Sequence, residues 1–242
     1  MYFAIRGRGE PIRLLHALTG AELEEVEYDR STKGANAGTA SMPFGQVPLW
    51  IDQDQWTLSQ SDAILRYLGA QCGCYGLGVR EDARINEALA GVESLRQKYL
   101  ELVYGEFSEA TREKYKHLHT SEESKAARCQ GAHLGLLDAA VSRSSSAWAA
   151  DTENPSVADM CAPLNDARLK LARPTADALS AVTHSQLFDI FDVHLRLFGE
   201  GLKVQFPHLA RLYEAFAVLP GVSEYLASDA RKNRPVNNNN NG

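Results

Sequence analysis

The stretch Tyr2–Arg13, YFAIRGRGEPIR, places a short apolar run of strand character directly before a glycine-rich turn and an amphipathic segment. Over Glu10–Thr19 apolar side chains recur at the three- and four-residue spacing of one helix face, and Gly20 is a typical residue to end such a helix. The apolar residues of this face are Ile12, Leu15 and Leu18. The beginning of the chain is therefore predicted to form a strand followed by a short helix.

The next elements continue this mixture of strand and helix. Val47–Ile51 has the apolar pattern of a strand, and Ser61–Leu68 has that of a helix for which Gly69 is the expected end. A glycine-rich run follows and breaks the periodicity, which is typical of a connector between domains. We predict a small α/β domain over residues 1–70 and a linker over residues 71–80.

The remainder of the chain has the periodicity of helices. In Asp82–Tyr104 apolar residues recur every three or four positions, as expected for one long amphipathic helix. The segments that repeat this pattern are Glu122–Val141, Leu187–Leu197 and Pro207–Val218. We predict an all-helical domain over residues 81–236 and a poorly ordered asparagine-rich tail over residues 237–242.

Composition and charge narrow the class of protein. The 242-residue chain is 44% hydrophobic, which is enough for a sizeable core, and its formal net charge is −6. This charge gives no reason to expect a nucleic-acid partner, because phosphate binding needs clustered lysine and arginine. No segment approaches the roughly 18 uninterrupted apolar residues of a membrane span, and the first residues lack the order of a secretory signal. We expect a soluble, cytoplasmic protein without a membrane partner.

The cysteines predict free thiols in a reducing compartment. They form neither a C-x-x-C pair nor a zinc-ligand spacing, and the positions are Cys72, Cys74, Cys129 and Cys161. The histidines at 184 and 194 likewise have no spacing that supports a metal ligand set. We expect no bound metal.

Three motifs occur in the same order and at the same spacing as in a known enzyme family. They are Tyr2–Arg13, Phe44–Pro48 and Ser59–Gly69, and the likeness extends through Cys74–Gly76, Gly91–Tyr99 and Tyr225–Asn237. On these residues the chain closely resembles the cytosolic glutathione transferases of the tyrosine type, in their pi-like branch. The resemblance implies an α+β fold of two domains, thioredoxin-like and then all-α, and a homodimer. It also implies glutathione as co-substrate, a small hydrophobic electrophile, and no further cofactor.

The resemblance makes Tyr2 the catalytic residue. A thiol with its ordinary pKa of about 8.5 is mostly protonated at neutral pH, whereas the thiolate is the nucleophile. One hydrogen bond to a charged group contributes about 1.5 to 3 kcal/mol, equivalent to lowering the pKa of the thiol by roughly one to two units. The hydroxyl of Tyr2 is expected to supply this bond to glutathione. The alternative is a disordered second residue without a role.

The other residues that the resemblance assigns to glutathione have chemistry suited to a tripeptide. A cis bond at Val47-Pro48 would leave the peptide groups of Val47 free to pair with the glutathione backbone. Ser61 begins a helix whose unpaired N–H groups favour the γ-glutamyl carboxylate, or is a plain helix cap. Arg8 would hold the cysteinyl or glycyl region and support the thiolate through its charge, or is a solvated loop charge. The full predicted set is Tyr2, Arg8, Lys33, Gln46, Val47, Pro48, Gln60 and Ser61.

The resemblance also assigns residues to the electrophile and to the dimer. Ile5 and Tyr104 would face the electrophile, although Tyr104 also suits a packing role. Phe44 and Ser94 would lie at the dimer contact. Pi-like relatives place a tryptophan and a lysine in the loop where Lys33 is found here, and an aspartate at the position of Ser94. The loss of charged contacts predicts a weaker affinity for glutathione.

One stretch does not fit the resemblance. In the family a Ser-x-x-Asp capping box opens a central buried helix, and Ser156–Asp159 supplies it here. The helix body resumes only at Leu187, beyond two prolines that each cost about 3 kcal/mol in a helix interior. We therefore predict that Ala162–Gln186 is an insertion, or untranslated sequence retained by mistake.

Three functions follow in order of support. The first is conjugation of glutathione to hydrophobic electrophiles, in which proximity and thiolate stabilisation lower the barrier. The second is a non-catalytic relative on the same fold, with a ligand-binding or structural role, because fold alone does not determine activity. The third, a glutaredoxin-like reductase, needs a nucleophilic cysteine at the first strand-to-helix turn, where the sequence has none.

Overall fold

The structure is a computed structural model of the chain, and it describes residues 1–28, 42–75, 78–121, 131–143 and 180–239. It has the predicted fold class, a thioredoxin-like N-terminal domain followed by an all-helical domain.

The sheet of the N-terminal domain holds the start of the chain in place. Leu49–Ile51 (β1) and Thr57–Ser59 (β2) form an antiparallel pair. Tyr2 forms a parallel bridge with Glu27 on one side, and on the other the first N–H of β1 donates to the carbonyl oxygen of Met1 at 3.0 Å. β1 begins two residues later than predicted, because the preceding proline has no N–H for the ladder. Tyr2 is therefore bonded into the sheet.

Two helices complete the N-terminal domain. Glu10–Thr19 (α1) has the predicted bounds and is followed by Gly20 at φ 65°. Ser61–Gln71 (α2) continues through Gly69, so the prediction that this glycine ends the helix is wrong. A Cβ at Gly69 would lie 2.3 Å from Cγ2 of Val182. The glycine is required by the close approach of two helices, which local sequence does not show.

The rest of the described chain is helical. The helices after the linker are Val79–Tyr104 (α3), Glu109–Thr120 (α4), His133–Val141 (α5), Ser180–Phe198 (α6), Gly201–Gln205 (α7), Pro207–Ala217 (α8), Pro220–Ala227 (α9) and Asp229–Lys232 (α10). Two predicted helices, at 82–104 and 207–218, agree with α3 and α8 to within three residues. The helix predicted over 122–141 is observed as α5, and its residues 122–130 lie outside the described ranges.

α6 lies at the centre of the molecule and joins the two domains. Phe188 packs with residues of α1 and α2 in one buried cluster, and Phe191 packs with residues of α3, α5 and α8 in a second cluster. Glu10 of α1 is fully buried and forms an ion pair with Nε of Arg231 of α10. Nη2 of the same guanidinium group pairs with Asp192 of α6. These contacts fix the first helix, and the turn before it, against the helical domain.

α6 begins earlier than the sequence predicts. Its first residue is Ser180, seven positions before Leu187, and residues 181–186 are buried. The side chain of Gln186 donates to Asp62 of α2 at 3.1 Å and accepts from Arg96 of α3 at 2.8 Å. The last part of the predicted insertion is therefore core helix. Residues 162–179 and the capping box at 156–159 lie outside the described ranges, where the insertion stays a prediction.

The asparagine-rich tail is not free where the structure describes it. Asn237 is only 2% exposed, and its side chain donates to the hydroxyl of Tyr99 at 3.2 Å. Asn239 donates to the carbonyl oxygen of Val103 at 3.2 Å. The prediction of disorder is therefore wrong for residues 237–239, because their amides satisfy polar groups at the end of α3. Residues 240–242 lie outside the described ranges.

Candidate active site

A cavity of about 480 Å³ opens between the N-terminal domain and α3. Six of the eight residues predicted to bind glutathione line it: Arg8, Gln46, Val47, Pro48, Gln60 and Ser61. Side chains that were not predicted complete the wall: Phe3, Tyr28, Glu93, Gln97 and Leu100. Motifs far apart in sequence thus meet at one concave site, with the seventh predicted residue, Lys33, outside the described ranges.

One wall of the cavity is suited to a peptide backbone. The Val47-Pro48 bond is cis, as the resemblance implied. Gln60, which precedes α2, has φ 73°, a left-handed value that is uncommon for a residue other than glycine and that clusters at ligand sites. Its side chain donates to Gln46 at 3.3 Å. Two side-chain amides and a turned strand therefore present hydrogen-bonding groups to the same space.

The N-terminus of α2 has the chemistry of an anion site. Ser61 is the first residue of the helix, where backbone N–H groups have no partner within the helix and the helix dipole favours a negative charge. Nη1 of Arg8 lies 3.4 Å from the hydroxyl oxygen of Ser61 and donates to it. A carboxylate placed here would meet a guanidinium, a hydroxyl and a helix N-terminus together.

Arg8 and Glu93 form a two-pronged ion pair inside the cavity. The guanidinium nitrogens donate to the two carboxylate oxygens at 2.8 and 2.7 Å. Burial alone would raise the pKa of Glu93, but the Arg8 guanidinium holds it below its ordinary value. Burial would lower the pKa of Arg8, and Glu93 raises it above the usual range. Sequence reasoning missed Glu93, because a polar residue on a helix gives no sign of a partner 85 positions away.

Tyr2 lies beside the cavity, and its ring packs under the turn that follows Tyr2 in the chain. The N–H of Arg8 donates to the phenolic oxygen of Tyr2 at 2.9 Å. Gly7 has φ 41°, which is strained for any other residue, and a Cβ there would lie 2.5 Å from that oxygen. The ring does not line the 480 Å³ cavity but a smaller one of about 40 Å³ behind it.

The environment of Tyr2 keeps its hydroxyl protonated. Burial raises the pKa of Tyr2 above its ordinary value, against the lowering effect of the Arg8 N–H. A neutral phenol whose oxygen already accepts one hydrogen bond has its proton available for donation to another group. Tyr2 is therefore chemically a hydrogen-bond donor at neutral pH.

The remaining predicted residues lie around this site. Ile5 is buried in the turn before Arg8, and Tyr104 is 44% exposed at the end of α3. Neither lines the larger cavity, whereas Phe3, which was not predicted, does. Phe44 is 66% exposed, and Ser94 is exposed on α3 with its hydroxyl donating to a backbone oxygen one turn earlier.

Several other sequence predictions concern classes of site. Cys72 and Cys74 are reduced thiols, and the other two cysteines lie outside the described ranges. Within the residues that the structure describes, no three His, Cys, Asp or Glu side chains are grouped to hold a metal ion. In the same ranges, no helix has both the length and the apolar character to cross a membrane.

Comparison with known proteins agrees with this architecture. Residues 1–70 match the family model described as Glutathione S-transferase, N-terminal domain. The chain is 32% identical over 237 residues to Glutathione S-transferase P 1 of Xenopus laevis, covering 97% of this chain and 94% of that protein. It is 30% identical over 241 residues to Glutathione S-transferase P 1 of Bufo bufo, covering 99% and 96%. The solved pi-class glutathione S-transferase of Onchocerca volvulus matches with a TM-score of 0.73 at 22% identity, covering 100% of this chain and 97% of that one.

These matches place the chain among two-domain enzymes with a thioredoxin-like N-terminal domain and an all-helical second domain. The chain belongs to the glutathione S-transferase family, in its pi-like branch, and is an enzyme of the glutathione transferase type.

Proposed function

We propose that this enzyme adds the thiol of reduced glutathione to small hydrophobic electrophiles, with Tyr2 stabilising the thiolate. The observation that carries the proposal is the 2.9 Å hydrogen bond from the Arg8 N–H to the Tyr2 oxygen. This bond fixes the phenolic oxygen and leaves its proton to donate. It does so at the edge of a cavity lined by six of the residues predicted to bind glutathione.

Glutathione would be held at its γ-glutamyl end and along its backbone. The γ-glutamyl carboxylate would lie at Ser61 and the N-terminus of α2, within reach of Arg8. The γ-glutamyl ammonium carries the opposite charge, and Glu93 is the carboxylate that faces the cavity. The peptide groups of Val47 would pair with the cysteinyl backbone. These contacts hold the sulfur in one position, which converts the reaction into an effectively intramolecular one.

The chemical step needs a thiolate and an apolar second substrate. The cysteinyl thiol loses its proton to solvent, and the hydroxyl of Tyr2 donates a hydrogen bond to the resulting sulfur anion. The sulfur then attacks the electrophilic carbon and forms the S–C bond, while the displaced electron pair leaves with an anionic leaving group or, in an addition to a double bond, moves to the neighbouring atom, which takes a proton from solvent. Phe3 on the cavity wall and the exposed ring of Tyr104 would supply aromatic surface for the electrophile, whereas Ile5 is buried. No further cofactor takes part in this proposal.

The proposal includes a homodimer and a cytoplasmic location. Phe44 is 66% exposed on a loop of the N-terminal domain, and a large exposed apolar side chain commonly marks an interface. Cys72 and Cys74 are reduced thiols in the described chain, which suits a reducing compartment.

The decisive experiment is conjugation of glutathione to a general electrophile by the unaltered enzyme and by Tyr2→Phe. We expect kcat/KM of Tyr2→Phe to fall about tenfold to a hundredfold at pH 6.5, because one hydrogen bond to a charged group is lost. The pH midpoint of kcat/KM should rise by roughly one to two units. Tyr67→Phe removes a phenolic hydroxyl of α2 that bonds Asp52 and lines neither cavity, and it is the matched control.

The possible outcomes separate the candidate functions. Equal turnover by Tyr2→Phe and the unaltered enzyme would contradict the role of Tyr2. Glutathione binding without any turnover by the unaltered chain would instead favour the ligand-binding role considered from the sequence. Crystals soaked with glutathione should show the sulfur within hydrogen-bond distance of the Tyr2 oxygen.

A further inference from the structure

The segment Pro235–Asn239, here called the C-terminal strap, crosses the turn that carries the proposed active site. The carbonyl oxygen of Pro235 accepts the N–H of Arg6 at 2.8 Å, and that of Val236 accepts the N–H of Gly7 at 3.0 Å. Both donors lie between Ile5 and Arg8, in the turn under which the Tyr2 ring is packed. The strap thus bonds the turn through main-chain groups, and these bonds do not depend on which side chains the strap carries.

The other side of the strap is attached to the end of α3. Asn237 donates to the buried hydroxyl of Tyr99 at 3.2 Å, and its Oδ1 accepts the N–H of Asn239 at 3.1 Å. Asn239 donates to the carbonyl oxygen of Val103, and the N–H of Asn238 donates to the hydroxyl of Tyr104 at 3.3 Å. Three consecutive asparagines therefore bond the last turns of α3.

These two sets of bonds couple the helical domain to the position of the Tyr2 hydroxyl. Gly7 is bonded to the strap, Arg8 is the next residue, and the Arg8 N–H donates to Tyr2. The main chain of Gly7 lies so close to the Tyr2 oxygen that an added Cβ would be 2.5 Å from it. A shift of the turn by a few tenths of an ångström would therefore move both the oxygen and its donor.

We propose that the strap is a positioning element for the thiolate-stabilising hydroxyl, and that Asn237 is its central positioning residue. The inference rests on the proposed function for its catalytic meaning. Asn237 does not line the 480 Å³ cavity, and acts by holding the strap on Tyr99 while the strap holds Gly7. Loosening the strap weakens the hydrogen bond to the sulfur and leaves the binding of the glutathione backbone intact.

The test breaks the hydrogen bond between Asn237 and Tyr99 from either end. Asn237→Ala deletes the donor and Tyr99→Phe deletes the acceptor while keeping the ring, so that either variant serves if the other fails to fold. Asn233→Ala, an exposed asparagine just after α10, is the control. The measurements are the pH profile of kcat/KM, the KM for glutathione, and hydrogen exchange of the Arg6 and Gly7 amides.

We expect kcat/KM at pH 6.5 to fall about threefold to tenfold in both strap variants, the size of one neutral hydrogen bond. Exchange of the Arg6 and Gly7 amides should quicken by a similar factor, with the KM for glutathione within about twofold of the unaltered enzyme. Lower melting temperatures with an unchanged pH profile and unchanged amide exchange would show a merely structural role and overturn the proposal. If the unaltered chain does not conjugate glutathione, the proposed function fails, and the amide exchange still decides whether the strap holds the turn.

Discussion

The backbone N–H of Arg8 donates a hydrogen bond of 2.9 Å to the phenolic oxygen of Tyr2. The side chain of Arg8 extends in another direction and pairs with Glu93 in the cavity. Arg8 therefore bonds the Tyr2 hydroxyl through its main-chain N–H and contributes a positive charge to the cavity through its side chain. The two roles can be separated by mutation, because a side-chain substitution leaves the N–H in place.

Arg8→Ala should weaken glutathione binding without altering thiolate stabilisation. The variant loses the cation that faces the anion site at Ser61 and leaves Glu93 without its guanidinium partner. We expect the KM for glutathione to rise about tenfold to a hundredfold, as for loss of a charge-assisted hydrogen bond. The pH midpoint of kcat should stay where it is in the unaltered enzyme. Arg84→Ala, at a residue whose side chain is 71% exposed on α3, is the control, and a shifted midpoint would show that the two roles are not separable.

Gly69→Ala should destabilise the protein through one contact. The new methyl group would lie 2.3 Å from Cγ2 of Val182, and overpacking of this kind costs about 1 to 3 kcal/mol. The free energy of unfolding in urea measures the effect. Gly201→Ala, where an added Cβ meets no atom within 4 Å, should be neutral or stabilising.

The double variant Gly69→Ala/Val182→Ala tests the geometry directly. Removing the Val182 methyl groups makes room for the new Cβ, so the two substitutions together should cost less than the sum of the single ones. Simple additivity would show that α6 does not approach α2 at this point.

A pair of histidines between α4 and α5 makes stability depend on pH. Nδ1 of His119 lies 3.0 Å from Nδ1 of His133, and the His119 ring packs on Tyr115 with centroids 4.3 Å apart. Burial, together with the nearby His133, His194 and Lys98, lowers the pKa of His119 to about 3. His119 therefore stays neutral in the folded protein at pH values where it is protonated in the unfolded chain, in which its pKa is about 6.5. This contribution to stability is complete above about pH 6.5 and is lost as the pH falls towards 3.

His119→Phe should flatten this acid dependence. The ring volume is kept and the titrating group is removed, so the fall in the free energy of unfolding between pH 7 and pH 5 should shrink by about 1 to 2 kcal/mol. Urea unfolding at the two pH values measures it. His117→Phe on the exposed face of the same helix is the control, and an equal fall in both variants would exclude His119 as the source.

Phe44→Ala should weaken the proposed homodimer. A large aromatic side chain that is 66% exposed in one chain is a candidate anchor for its partner, and such anchors commonly contribute more than about 2 kcal/mol. We expect the dissociation constant from sedimentation velocity to rise at least about thirtyfold. Val204→Ala, at an 87% exposed position of α7, should leave it unchanged. A monomeric unaltered protein would remove the dimer from the proposal.

Local sequence was sufficient to predict the elements and motifs whose structure depends on neighbouring residues in the chain. The spacing of Ile12, Leu15 and Leu18 predicts α1, and the Val47-Pro48 dipeptide and Ser61 belong to contiguous motifs that line the cavity. Periodicity also predicts the span of α3 to within three residues. In each case the interactions that decide the structure join residues a few positions apart, and their pattern is visible in the order of side chains.

Contacts between distant residues decided the rest. Glu93 meets Arg8 across 85 positions, Gly69 is small because Val182 packs on it, and Asn237 is ordered because it bonds Tyr99. The sequence around each residue does not indicate its partner. A polar side chain on a helix or in a tail can equally well be exposed to water, and a glycine within a helix does not show what packs against it. Residue order thus specifies the elements and the motif set, whereas burial and pairing depend on which surfaces the folded chain brings together.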